Sequence, residues 1–167
     1  MELKVIFLLH TLTTLLMAGI CWFVQVVHYP LFLQISDGDF PAYEKKNYRT
    51  AYLTVTLMVI ELLSGSFLLF WMSGTLFFYN MLLLFVIEIS TILFQIPIQI
   101  GLSRKSSSAQ KLRLIQTNWI RTILWTLRSM ILLKITYDLL PNSAVFKSDT
   151  KSIMFLHSNF NLCSVYF

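Results

Sequence analysis

Six ionisable side chains stand inside long apolar runs: His10, His28, Glu61, Glu88, Arg121 and Arg128. Charge inside a bilayer is costly, so such groups pair with one another or mark a route for a ligand, proton or ion. Their spacing is regular. On the first run His10, Thr14, Met17, Cys21, Gln25 and His28 follow at intervals of 4, 3, 4, 4 and 3 residues. On the third, Glu88, Thr91, Gln95 and Gln99 follow at 3, 4 and 4, and on the fourth Asn118, Arg121, Trp125 and Arg128 at 3, 4 and 3. Each series is one face of a helix. The second run adds Glu61, with Gly65 one turn later. Stripes aligned on several helices predict polar faces turned toward one another and apolar faces turned to lipid.

Depth divides these residues into two layers. At about 1.5 Å per residue, Glu61, Glu88 and Arg128 fall near mid-membrane, as a set able to form buried charge pairs. His28, Gln95, Asn118 and Arg121 lie nearer one face, with Tyr43 and Asn47 able to close that layer from below. Arg121 and Asn118, with the flat surface of Trp125, offer charge, hydrogen bonds and stacking to a small polar or anionic ligand. His28, Gln95, Asn118, Arg121 and Trp125 are therefore the candidate ligand-binding residues, with the cofactor and any catalytic residue unassigned. Trp119 reads as an interfacial anchor.

A haem held by two histidines does not fit, because His10 and His28 lie roughly 27 Å apart along one axis. Single ligation by His28 stays open. A metal centre of His28 with Glu61 or Glu88 is disfavoured by depth, and no metal ligand set is assigned. Two cysteines, Cys21 and Cys163, give neither a disulfide framework nor a metal signature. There is no phosphate-binding glycine loop, nucleophile elbow or HExxH. Glu61, Glu88 and His28 could instead line a proton or ion route, which in a chain this small would need a homo-oligomer.

The elements that must position these side chains are helices. Of 167 residues, 56% are hydrophobic and 13% charged, against about 25% charged in soluble domains. This composition calls for a bilayer as partner. Four spans are expected at about 5–33, 52–72, 76–102 and 111–140, forming an all-α, up-down antiparallel four-helix transmembrane bundle with a polar interior over 1–140. Asp39 and Pro41 mark the start of the second helix near Phe40, and "SGT" at 73–75 is a tight turn. No internal repeat is evident. The tail, 141–167, lacks a spanning run and reads as weakly ordered or interfacial. The N-terminal run reads as a retained helix, because Ile20 stands where a lipoprotein cleavage box needs a small residue.

The net charge of +5 resides in short loops and is a topology signal; no nucleic-acid partner is implied. Lys45, Lys46 and Arg49 in the first loop, and Arg104, Lys105, Lys111 and Arg113 in the third, place both loops in the cytoplasm and both termini outside.

"WFVQVVHYPLF", "FPAYEKKNYR", Glu61, "QIPIQIGL" and "TNWIRTILWT" together resemble a family of small, largely uncharacterised bacterial four-helix integral membrane proteins. They are also distantly similar to the anthrone-oxygenase-like membrane proteins. The resemblance covers about Met17 to Leu133. It implies a bacterial cytoplasmic-membrane location and singles out His28, Glu61, Gln95, Asn118, Arg121 and Arg128. It also implies histidine in relatives at the places of Asn47 and Gln99, so potential ligands are lost here. Three functions follow as expectations: binding of a small polar or anionic ligand or cofactor, a haem- or metal-dependent membrane oxidoreductase, and a non-catalytic assembly subunit held by buried ion pairs.

Overall fold

A computed structural model of the chain describes residues 2–72 and 74–139. The predicted tail, 141–167, lies outside the described residues. Those described are helical, without a strand among them. The chain divides into a compact unit, Met1–Ile135, and a second, Thr136–Phe167.

Helix α1 is Glu2–Phe23; it continues through a π-helical turn, Val24–His28, into α2, Tyr29–Phe32. Helix α3 is Phe40–Leu69, and α4 is Thr75–Ser90. A second π-turn, Thr91–Gln95, leads into α5, Ile96–Arg104, and α6 is Ser108–Leu139. α1 packs on α3, and α3 on α4 and α5. Three stretches are long and apolar enough to cross a bilayer: Leu3–Phe32, Arg49–Leu69 and Thr75–Arg104. Outward-facing Leu8, Leu12, Phe23, Val55, Phe85 and Ile92 are among the exposed apolar side chains, a surface suited to lipid and not to water. α6 is just as long but carries Lys111, Arg113, Arg121 and Arg128, so length and apolarity alone do not make it a span.

The two π-turns share a cause. Pro30 and Pro97 each stand two residues beyond a turn. A proline has no N–H, and its ring crowds the carbonyl four residues back, here Val26 and Leu93. Widening the preceding turn relieves that crowding: Tyr29 N–H bonds the carbonyl of Val24, and Ile96 N–H that of Thr91.

Asp39 occupies the position before α3, but not as a side-chain cap. Its carboxylate accepts from Ser36 Oγ at 2.7 Å, and no cap bond to the helix forms. The α2–α3 connection is instead tied to α6 by Lys111. Its ammonium donates to the Ile35 carbonyl at 2.7 Å, pairs with Asp37 at 2.8 Å and lies 4.7 Å from the Phe40 ring centroid. The hydrogen bond that Lys111 donates to Asp37 holds the Asp37 carboxyl below the usual range.

Candidate functional site

A cavity of about 190 Å³ opens among α1–α2, α3, α4–α5 and α6. Both π-turns border it: Val24 and His28 from the first, Thr91, Ile92 and Gln95 from the second. A π-turn shifts the helical register by one residue and re-aims side chains. That shift lets His28 and Gln95 share a cavity wall with side chains from other turns. α6 supplies Asn118 and Arg121, and α3 supplies a stripe running from Glu44 and Asn47 through Thr50, Thr54 and Met58 to Leu62.

His28, Gln95, Asn118 and Arg121 thus line one cavity, with Glu88. Trp125 does not. It is fully buried against Arg128, whose guanidinium carbon lies 4.5 Å from its ring centroid. Trp119 is partly exposed and meets Trp22 edge-on at 5.8 Å.

Interhelical hydrogen bonds fix the polar lining. Gln25 Nε2 donates to the Ile115 carbonyl at 3.2 Å, and its oxygen accepts from Asn118 Nδ2 at 2.9 Å. Gln95 Nε2 donates to Thr117 Oγ1 at 2.9 Å, and that hydroxyl donates onward to the Arg113 carbonyl. Gln99 Nε2 reaches the Tyr29 hydroxyl at 3.3 Å. Each amide nitrogen is thereby engaged, which orients each amide oxygen. Asn118 Oδ1, Gln95 Oε1 and Glu88 Oε1 are left without a hydrogen-bond partner among the described residues, as is Arg121 Nε. Among the described residues Arg121 makes a weak hydrogen bond, from Nη2 to Met58 Sδ at 3.7 Å. Buried polar atoms are seldom left unmet, so four of them on residues of one cavity mark it out from the rest of the interior. His28 is half-buried, packed edge-on against Phe32 at 4.9 Å, with Asn47 beside its ring.

Deeper in the unit stands a separate polar cluster. Arg128 Nη1 donates to Glu61 Oε2 at 2.6 Å with both residues fully buried, and Arg128 Nη2 donates to Asn80 Oδ1 at 3.3 Å. Asn80 Nδ2 donates in turn to the Arg128 carbonyl at 3.1 Å. Glu88, expected beside this pair by depth, forms no ion pair within it and lines the cavity instead. His10 is fully buried and bonded through Nδ1 to Ser64 Oγ at 3.0 Å. Among the described residues no three His, Cys, Asp or Glu side chains cluster closely enough to hold a metal.

No protein-family model, curated protein or solved structure matches this chain.

Sequence reasoning missed Glu44, Thr50 and Thr54 as lining residues, and it put Gln99 on the inward stripe without counting it among the ligand-binding candidates. Thr50, Thr54, Met58 and Glu61 recur at helical spacing, a signal hidden by the weak polarity of threonine. Glu44 lies ahead of the apolar run and reads as loop charge, yet it borders the cavity. Burial pushes its carboxyl above the usual range, while an Asn47 hydrogen bond at 3.3 Å opposes the shift. A raised folded-state value means the protonated form is favoured on folding. The penalty for ionisation is therefore absent below the unfolded value and grows as pH rises through the folded one. Glu44→Gln should match the parent in thermal stability near pH 4 and exceed it by a few degrees at neutral pH. Thermal unfolding in detergent across that range tests this, and an unchanged difference at all pH values contradicts it.

Proposed function

We propose that this chain is a four-helix integral membrane protein whose cavity binds a small polar or anionic ligand or cofactor. The observation that carries the reading is the concentration of unmet polar atoms on buried side chains. Gln95, Asn118 and Arg121 are each at least nine-tenths buried, yet each carries an unsatisfied atom and belongs to the lining of one cavity. In this reading α6 completes the bundle as the fourth span, its charged face sheltered by the other three. The basic loops lie in the cytoplasm, the termini outside, and the cavity in the cytoplasmic half. Kinship with the small bacterial four-helix membrane proteins belongs to the same proposal and rests on the quoted motifs.

Drug-sized sites run to about 300–1,000 Å³, while a cavity of about 150 Å³ takes a benzene ring. A volume of about 190 Å³ therefore suits a ring-sized or headgroup-sized moiety better than a porphyrin, which weighs against the haem oxidoreductase reading. The fully buried Glu61–Arg128 pair favours a second reading, a non-catalytic assembly subunit in which buried polarity only fixes helix pairing.

Arg121→Gln separates the two readings. If the cavity binds ligand, the variant should keep its helix content and thermal midpoint while small polar or anionic probes bind at least about tenfold more weakly. Unfolding of the variant, with no probe binding the parent, would favour the assembly subunit.

A further inference from the structure

The lining of the cavity narrows the ligand class; this inference rests on the binding-site reading above. Three of the unmet atoms, Asn118 Oδ1, Gln95 Oε1 and Glu88 Oε1, are acceptors, whereas Arg121 Nε is a donor. The two amide orientations are not arbitrary. Gln25 Oε1 can only accept, so Asn118 must present its nitrogen there. Thr117 Oγ1 already gives its proton to a backbone carbonyl, so Gln95 must donate to it. The lining residues thus carry one guanidinium, three unmet acceptor oxygens and the His28 imidazole, whose unmet Nε2 donates or accepts according to its tautomer. A bare carboxylate or phosphate has no proton to give those oxygens. The lining also holds two carboxyl groups, Glu44 and Glu88, against one guanidinium, so nothing in it calls for a net anion. A hydroxyl-bearing head with a carbonyl satisfies both sides: the carbonyl accepts from Arg121, and the hydroxyls donate to Gln95, Asn118 or Glu88.

The second observation is which apolar residues of the lining also reach the outer surface. Val55 and Val59 of α3, and Ile92 and Ile96 across the second π-turn, line it. All four are also between 42% and 60% exposed on the outer surface. They belong to the apolar stretches Arg49–Leu69 and Thr75–Arg104, so this slot faces hydrocarbon. The cavity volume takes a head but not a chain, and the slot gives a chain somewhere to lie.

We propose that the site takes a neutral, hydroxyl-bearing amphiphile whose head hydrogen-bonds at Arg121, Asn118 and Gln95 while its chain lies in the slot between α3 and the α4–α5 helix. Access is sideways from the bilayer, between Val55–Val59 and Ile92–Ile96.

Four probes test the chemistry on the full-length protein in nanodiscs: 1-lauroylglycerol, methyl laurate, laurate and glycerol. Lauroylglycerol should bind about tenfold more tightly than methyl laurate, which lacks the donors, and more tightly than laurate, while glycerol should not bind detectably. Val59→Trp and Ile92→Trp narrow the slot from opposite walls at lipid-facing positions. Each should slow lauroylglycerol uptake about tenfold. Unchanged uptake in both variants would overturn access from the bilayer and point to the Glu44–Asn47 end. If laurate binds most tightly and Arg121→Gln abolishes its binding, the neutral amphiphile is overturned and the binding site stands. If none of the four binds, the amphiphile is overturned, and the binding site stands or falls on the small polar and anionic probes above.

Discussion

Arg128→Met is expected to lower stability by about 3–5 kcal/mol, the usual cost of stranding one member of a buried ion pair. Glu61 is fully buried, and its Oε2 depends on Arg128 Nη1 at 2.6 Å. Methionine fills much of the space but leaves that carboxylate uncompensated. It also removes the donor to Asn80 Oδ1 and the cation over Trp125. The backbone bond from Asn80 to the Arg128 carbonyl does not depend on the side chain, so α4 and α6 keep one tie. The double variant Glu61→Leu with Arg128→Met should recover most of the loss, because an apolar pair of similar volume needs no compensating charge. Thermal or denaturant unfolding in a fixed detergent gives all three values. A single variant as stable as the parent, or a double variant no better than the single, would contradict this account.

Gly65→Ala should cost about 1–3 kcal/mol, an overpacking effect. A Cβ at Gly65 would lie 2.6 Å from Met81 Sδ and 2.8 Å from both Met81 Cε and His10 Cε1. Methionine can swing aside. The His10 ring has less freedom, being held by Ser64 Oγ at 3.0 Å and packed edge-on against Phe77 at 5.9 Å. The glycine therefore lets α3 approach α1 and α4 closely at the level of the buried polar cluster. Adding Met81→Ala should relieve part of the strain but not the clash with His10. Full rescue by that second change would show that His10 is freer than its contacts imply. The same unfolding measurement decides.

These two expectations differ in how much of them the sequence could supply. Glu61 and Arg128 announce themselves, because ionised groups in apolar runs must find partners and depth brings these two to one level. Which carboxylate pairs was not legible. Glu61 and Glu88 share a depth, and only rotation about the helix axis puts one against Arg128 and the other on the cavity. Gly65 was visible as a residue one turn from Glu61. Its contact with Met81 and His10 was not, since it depends on how three helices approach.

The cavity shows the same division. Spacing on one helix face selected His28, Gln95, Asn118 and Arg121, because 3- and 4-residue intervals survive any arrangement of helices. Trp125 belongs to the same face by spacing yet turns toward Arg128, as neighbours on one stripe point to different levels. The prolines at 30 and 97 are plain in the sequence. Their consequence, a widened turn ahead of each, arises from a clash with a carbonyl and needs the backbone to be seen.

By itself the sequence determined the helical, membrane-directed character of this protein, because apolar runs of about 20 residues have few other stable solutions. It also determined which helix faces are polar, because helical periodicity is local. Tertiary structure alone decided the pairing of Glu61 with Arg128 and the place of Glu88 and Glu44 on the cavity wall. Those depend on helix rotation, register and separation. They are set by packing between segments distant in sequence, which no single stretch of the chain encodes.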